Sequence, residues 1–166
     1  FLPRDASGRR DHFGSTMRLT RFAPVIPAPE PGSFAALMEL YERNYLQLRR
    51  LIPDLRHWQG SRCSRVAHCL PLRVDIVEQS RYTSTVRLYY LFDADSGRPR
   101  RAPDLLIRIY YDARSVEVLS GGVGLTRCLA ARSGACLEKR WRINRFLFKW
   151  LGYCAHRGHC FEENNA

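Results

Sequence analysis

Lysine is nearly missing from this chain. Of its 27 basic residues only Lys139 and Lys149 are not arginine, and with 16 acidic residues the net charge is +11. An arginine excess is one way a protein meets phosphates or carboxylates, since the guanidinium is planar and always charged. A genome that favours arginine codons yields the same count, and the spread of the arginines along the chain suits that simpler reading. Long apolar runs are missing too. Nothing approaches the roughly 20 residues that a membrane helix needs. Near the start there is no apolar stretch followed by a small-residue cleavage site. The expectation is a cytoplasmic protein with no membrane contact.

The familiar chemical signatures are also lacking. Six cysteines (63, 69, 128, 136, 154 and 160) include no C-x-x-C pair, which argues against a thioredoxin-like or zinc-ribbon site. Reduced thiols serving as small buried apolar side chains are expected. Ser120-Gly-Gly-Val-Gly lacks the Gly-Lys-Ser/Thr ending of a phosphate loop, and Asp93-x-Asp95 lacks the downstream Gly and Glu of a calcium loop. Cys154, His156, His159 and Cys160 are zinc-ligand types within seven residues, but not at finger spacing. No metal and no cofactor is expected.

What is present is patterning. Residues 72–92 organise the rest. Leu72, Val74 and Ile76 alternate with Arg73 and Asp75. After a short polar turn, Val86, Leu88, Tyr90 and Phe92 alternate with Arg87 and Tyr89. Period-two alternation predicts an antiparallel hairpin with one buried face. Residues 105–119 repeat the design, with Leu105, Ile107, Ile109 and Tyr111 on one side of a turn and Val116 and Val118 on the other. A weaker strand is expected at 64–69, and 93–103 reads as a loop.

Two helices flank the strands. Phe34, Leu37, Met38, Tyr41, Tyr45, Leu48 and Ile52 recur at three- and four-residue steps, with Ser33 as N-cap and Pro53 as stop. Ile143, Phe146, Leu147, Trp150, Leu151 and Cys154 form the apolar face of a helix over 139–157, opposite Arg142, Arg145 and Lys149. Trp58, in the connector 54–62, is expected to cap an edge of the core. The fold class is therefore α+β: a four- or five-stranded antiparallel sheet with an N-terminal and a C-terminal amphipathic helix packed on one face. One domain spans 33–160. Residues 1–32 read as a tail holding five of the nine prolines, and 161–166 as a second one. Met17 is the first methionine, and translation is expected to start there, with 1–16 lying upstream.

Four blocks, in order, carry a resemblance. They are Asn44 with Leu48-Arg-Arg-Leu-x-Pro53; Ile76-Val-Glu-x-Ser-Arg-Tyr-Thr-x-x-Val86; Arg108-x-Tyr-x-Asp-Ala-x-x-x-Glu-Val118; and Asn144-x-Phe-Leu-x-x-Trp-Leu-x-Tyr-Cys154. Together they resemble the YqiB family of small bacterial cytoplasmic proteins, found mainly in Proteobacteria. The resemblance covers about 34–158. It implies no agreed activity, cofactor or catalytic residue. The family's genes tend to lie near those for nucleotide-cleaving hydrolases, a hint toward nucleotide metabolism. Many members carry His where this chain has Tyr111.

Two sets of candidates follow. Glu78, Arg81, Tyr82, Arg108, Asp112 and Asn144 are polar residues of the matching blocks. They either build turns and cross-strand pairs or form a pocket in which an arginine binds an anion and Glu78 or Asp112 acts as base. Arg73, Arg87 and Arg108, interleaved with Tyr89 and Tyr110, would share the open sheet face. Arginine among aromatics is how single-stranded nucleic acid is held; pairing with Asp75 and Glu117 is the plainer alternative. The leading expectation is a non-enzymatic binding or regulatory module for an anionic partner, nucleic acid or acidic protein. A small hydrolase or nucleotide-handling enzyme using Glu78, Asp112 and an arginine stands second.

Overall fold

A computed structural model describes residues 33–92, 99–121 and 135–161. The N-terminal tail, most of the expected 93–103 loop and the end of the Ser120-Gly-Gly-Val-Gly stretch lie outside the described residues.

The apolar stripe of the first helix forms α1, Phe34–Leu51, capped where expected: Ser33 Oγ accepts the amide of Ala36 at 3.1 Å. Arg49 and Arg50 stand in its last turn, favourable against the helix dipole. One 3₁₀ turn, Leu55–His57, leads to the strands. They are β1 (Ser61–Ser64), β2 (Leu72–Gln79), β3 (Thr83–Phe92), β4 (Arg100–Tyr110) and β5 (Ser115–Gly121). All neighbours are antiparallel, in the order β1-β2-β3-β4-β5. The last helix, α2, is Ala135–His156.

Both helices bury most of their stripes on one sheet face, although Phe34, at the start of α1, is exposed. Leu48, Leu51, Ile143, Leu147 and Leu151 pack with Leu72, Val74, Val86, Leu88, Ile107, Ile109 and Val116 in one core. A second cluster joins the helices to each other through Leu37, Leu40, Tyr41, Trp141 and Phe148. Burial of each such large apolar side chain contributes about 1.5–3 kcal/mol.

Several local expectations are corrected. The first strand is Ser61–Ser64, not 64–69, because its register against Leu72–Asp75 is set by β2 and not by any alternation of its own. β4 begins at Arg100, inside the stretch read as loop, since β3 is long enough to pair Phe92 with Arg100. A bulge between Tyr89 and Leu91 ends strict alternation there. Phe92 is accordingly exposed, whereas Tyr89 on the far face is only 3 % exposed. Trp58 lies inside the core and does not cap its edge; its ring meets Phe161 at a tilt, with centroids 5.7 Å apart, and Arg62 covers it at 4.4 Å. Phe161 is buried and donates its amide to Leu51 O, so the packed chain reaches one residue into the expected tail. Phe146 stands on the outer side of α2, 40 % exposed, where the stripe placed it inside.

Candidate functional site

The sheet face away from the helices is a lattice of paired charges. Register puts Asp75 opposite Arg87 and Tyr89 between Arg73 and Asp104. Arg87 meets Asp104 at 3.3 Å. Arg101 lies over the Tyr89 ring at 4.5 Å. Burial, and then a hydrogen bond to Asp75, pushes the Tyr89 phenol above its ordinary pKa. Arg108 donates Nε to Thr85 Oγ1 at 3.2 Å and meets Glu78 at 3.5 Å. The bulge between Ile76 and Glu78 makes this last contact. It sets Glu78 opposite Thr85, which itself faces Arg108.

Toward β5 the lattice continues into α2. Tyr110 donates its hydroxyl to Glu117 at 2.7 Å, and Arg140 reaches the other carboxylate oxygen at 3.4 Å. Tyr41 of α1 hydrogen-bonds Arg140, while burial raises the Tyr41 pKa. Arg140 is held charged, above the ordinary arginine value, first by the Cys136 side chain and then by Tyr41.

Asn144 occupies a different place. It is fully buried on α2, and its Oδ1 accepts the Val118 amide at 3.1 Å. Its Nδ2 donates to Arg140 O at 2.8 Å, and its carbonyl oxygen accepts from Asn44 Nδ2 at 3.3 Å. This is a backbone-satisfying network, with no opening to the charged face in any of its contacts.

The remaining candidates gather where the β2–β3 and β4–β5 turns meet. Tyr111 donates its amide to Tyr82 O at 2.9 Å, which joins the turns. Arg56, entering from the 3₁₀ turn, donates to Arg81 O at 2.8 Å and lies over the Tyr111 ring at 4.8 Å. The Tyr111 hydroxyl bonds Ser84 Oγ at 2.7 Å. Arg81 stacks on Tyr82 at 5.2 Å. Asp112 accepts the amide of Ala113 in its own turn, and Arg114 closes that turn with φ 48°. Among the described residues, Arg56, Arg81 and Arg114 are exposed and meet no carboxylate at ion-pair distance.

The structure thus joins Glu78 to Arg108, and Arg81 and Tyr82 to the Tyr111-Asp112 turn. Asn144 stands apart from both groups. Sequence reasoning missed Arg56, Arg114 and Arg140, since no periodicity marks them. Asn44 did leave a signal: a polar residue three positions after Tyr41 and four before Leu48, inside the apolar stripe.

The four zinc-type residues near the end of α2 do not gather. Gly158, at φ 88°, ends the helix and lets the His159 amide reach Cys154 O. His159 then turns inward to Ser64 Oγ at 3.1 Å, while Cys154 meets the Tyr90 hydroxyl at 3.2 Å and His156 is exposed. Among the described residues no three His, Cys, Asp or Glu side chains are grouped to hold a metal ion. Nor is any described helix long and apolar enough to cross a membrane.

Comparison with known proteins agrees with the four blocks. Residues 47–160 match a family described as "Protein of unknown function (DUF1249)". The chain is 32 % identical over 130 residues to the uncharacterized protein YqiB of Escherichia coli K12, an alignment covering 75 % of this chain and 90 % of that one. The YqiB proteins of strains O6:H1 and O157:H7 match to the same extent. No solved structure matches. With the four blocks and these relatives in agreement, the chain belongs to the YqiB-like DUF1249 family.

Proposed function

We propose that this protein is a non-enzymatic binding module for an anionic partner, and that the partner is a single-stranded nucleic acid held where the two turns meet. One observation carries the reading: Arg56, Arg81 and Arg114 are exposed there and meet no carboxylate among the described residues, two of them lying on tyrosine rings. Guanidinium groups bind phosphate oxygens in pairs of hydrogen bonds. Tyr82, 52 % exposed, offers a ring on which a base stacks, worth about 1–3 kcal/mol. The flat sheet face suits this role less well, because Arg87 and Arg108 are already paired and Arg101 covers Tyr89.

The hydrolase reading has weaker support. Glu78 is engaged by Arg108, and Asp112 is engaged by its own turn. A cytoplasmic setting, where thiols stay reduced, suits the five free cysteines among the described residues.

Fluorescence anisotropy of the full chain with labelled single-stranded RNA and DNA across salt tests the proposal. Sub-micromolar binding that weakens steeply with salt is expected. Arg81→Ala and Arg114→Ala should each lower the salt slope by about 1, and Tyr82→Ala should weaken binding about tenfold or more. Absence of binding at low salt, or unchanged affinity in all three variants, overturns it.

A further inference from the structure

The outer face of α2 carries a second feature that the turn cluster does not use. Arg142, Arg145, Phe146, Lys149 and Tyr153 follow one another at one-, three- and four-residue steps, so they share roughly a third of the helix circumference. Phe146 is 40 % exposed and Tyr153 is 54 % exposed, and the two stand about two turns apart on the same side. Phe146 stacks on Trp150 at 6.1 Å, so the exposed ring has a fixed base. Arg142 is paired with Glu138. Arg145 and Lys149 are exposed and meet no carboxylate among the described residues. After Glu138 the helix holds no acidic residue.

Two exposed aromatic rings and the cations beside them thus lie along one ridge of the helix. Aromatic residues and arginine concentrate binding energy at protein interfaces, and cations beside them select the sign of the partner. A second copy of this chain is disfavoured, since a two-fold contact would set the same cations face to face in a protein of net charge +11. We infer that the Phe146–Tyr153 ridge of α2 docks an acidic, amphipathic helical segment of another protein. Its apolar side would cover the two rings, and its carboxylates would meet Arg145 and Lys149.

The test uses the full chain and a labelled 20-residue peptide of Leu and Glu in an amphipathic helical pattern. Controls are a scrambled peptide of the same composition and poly-glutamate. Low-micromolar binding of the patterned peptide is expected, at least tenfold tighter than either control. Tyr153→Ala and the double variant Arg145→Glu/Lys149→Glu should each weaken it at least tenfold, with an unchanged circular dichroism spectrum. Phe146→Ala is the second aromatic probe, read beside Tyr153→Ala because its ring also touches Trp150. No binding, equal binding of the controls, or full affinity in the Tyr153 and charge-reversal variants overturns the inference. So does binding of anionic phosphatidylglycerol vesicles or single-stranded RNA that is lost in those same variants while the peptide fails to bind.

Discussion

Asn144 seals the edge of the sheet at Val118. β5 is the last strand in the order, and the Val118 amide is taken by Asn144 Oδ1 at 3.1 Å instead of by another strand. An edge strand with open amides invites pairing with other chains, and here a helix side chain occupies one of them. The same Asn144 bonds Asn44 and so ties α1, α2 and β5 together.

Replacing Asn144 by Ala should therefore be costly. It leaves the Val118 amide buried without its side-chain acceptor, while Asn44 Nδ2 keeps its 3.3 Å bond to the main-chain carbonyl of residue 144. The loss expected for one such group is about 1–3 kcal/mol. Urea denaturation monitored by tryptophan fluorescence measures it. A change below about 0.5 kcal/mol would show that the network is not holding the helices to the edge.

Glu78→Gln should do little. The Glu78–Arg108 pair is solvent-exposed on the sheet face, and such pairs contribute about 0–1 kcal/mol. Stability should change by less than about 0.5 kcal/mol, and RNA affinity should be unaltered. A phosphohydrolase activity lost on this substitution would instead support the enzyme reading, with Glu78 as base.

Stability should fall in mild acid through His159. Burial, and then the nearby Arg157 charge, lowers its pKa below the ordinary 6.5. The ring is packed against Tyr90 and Ser64, and its Nε2 has no hydrogen-bond partner among the described residues. The unfolded chain takes up a proton that the folded chain refuses, so this contribution is complete above about pH 6.5 and declines as pH falls toward the lowered value. Urea midpoints at pH 7.5 and 5.5 should differ more for the wild type than for His159→Gln. Parallel pH profiles would contradict it.

Cys154 should resist alkylation. Burial pushes its thiol up to about 11, partly countered by the Tyr90 hydroxyl. Since the thiolate is the reactive form, iodoacetamide at pH 8 should label the partly exposed Cys63, Cys69 and Cys160 well before Cys154. Mass spectrometry of the folded protein reads the order. Labelling of Cys154 at the rate of Cys69 would place it outside the packed core.

The strand pairs and helices were legible because local pattern decides them. Leu72, Val74 and Ile76 alternate, Leu37, Tyr41 and Leu48 recur at helical spacing, and Ser33 offers its oxygen to the first turn. Turn residues such as Arg81, Tyr82 and Asp112 were found through the matching blocks. Their grouping with Arg56 was not, because that depends on a contact 25 residues apart in sequence. Tyr89 and Phe146 show the same limit from two directions. Alternation placed Tyr89 on an open face, yet Arg101, from the next strand, covers it. Helical spacing placed Phe146 inside, yet the apolar stripe of α2 is wider than the sheet can cover.

The amino-acid sequence by itself determined an α+β domain, its helices, its two hairpins and its arginine excess, since period, caps and composition act over a few residues. Among the described residues, tertiary structure alone decided which arginines meet carboxylates and which do not. Glu78 reaches Arg108 only through a bulge and two strand registers, and Arg81 meets no carboxylate among the described residues because its turn meets Tyr111 and Arg56 instead of an acid. Charge pairing depends on distance in space, and distance in space is set by register and packing.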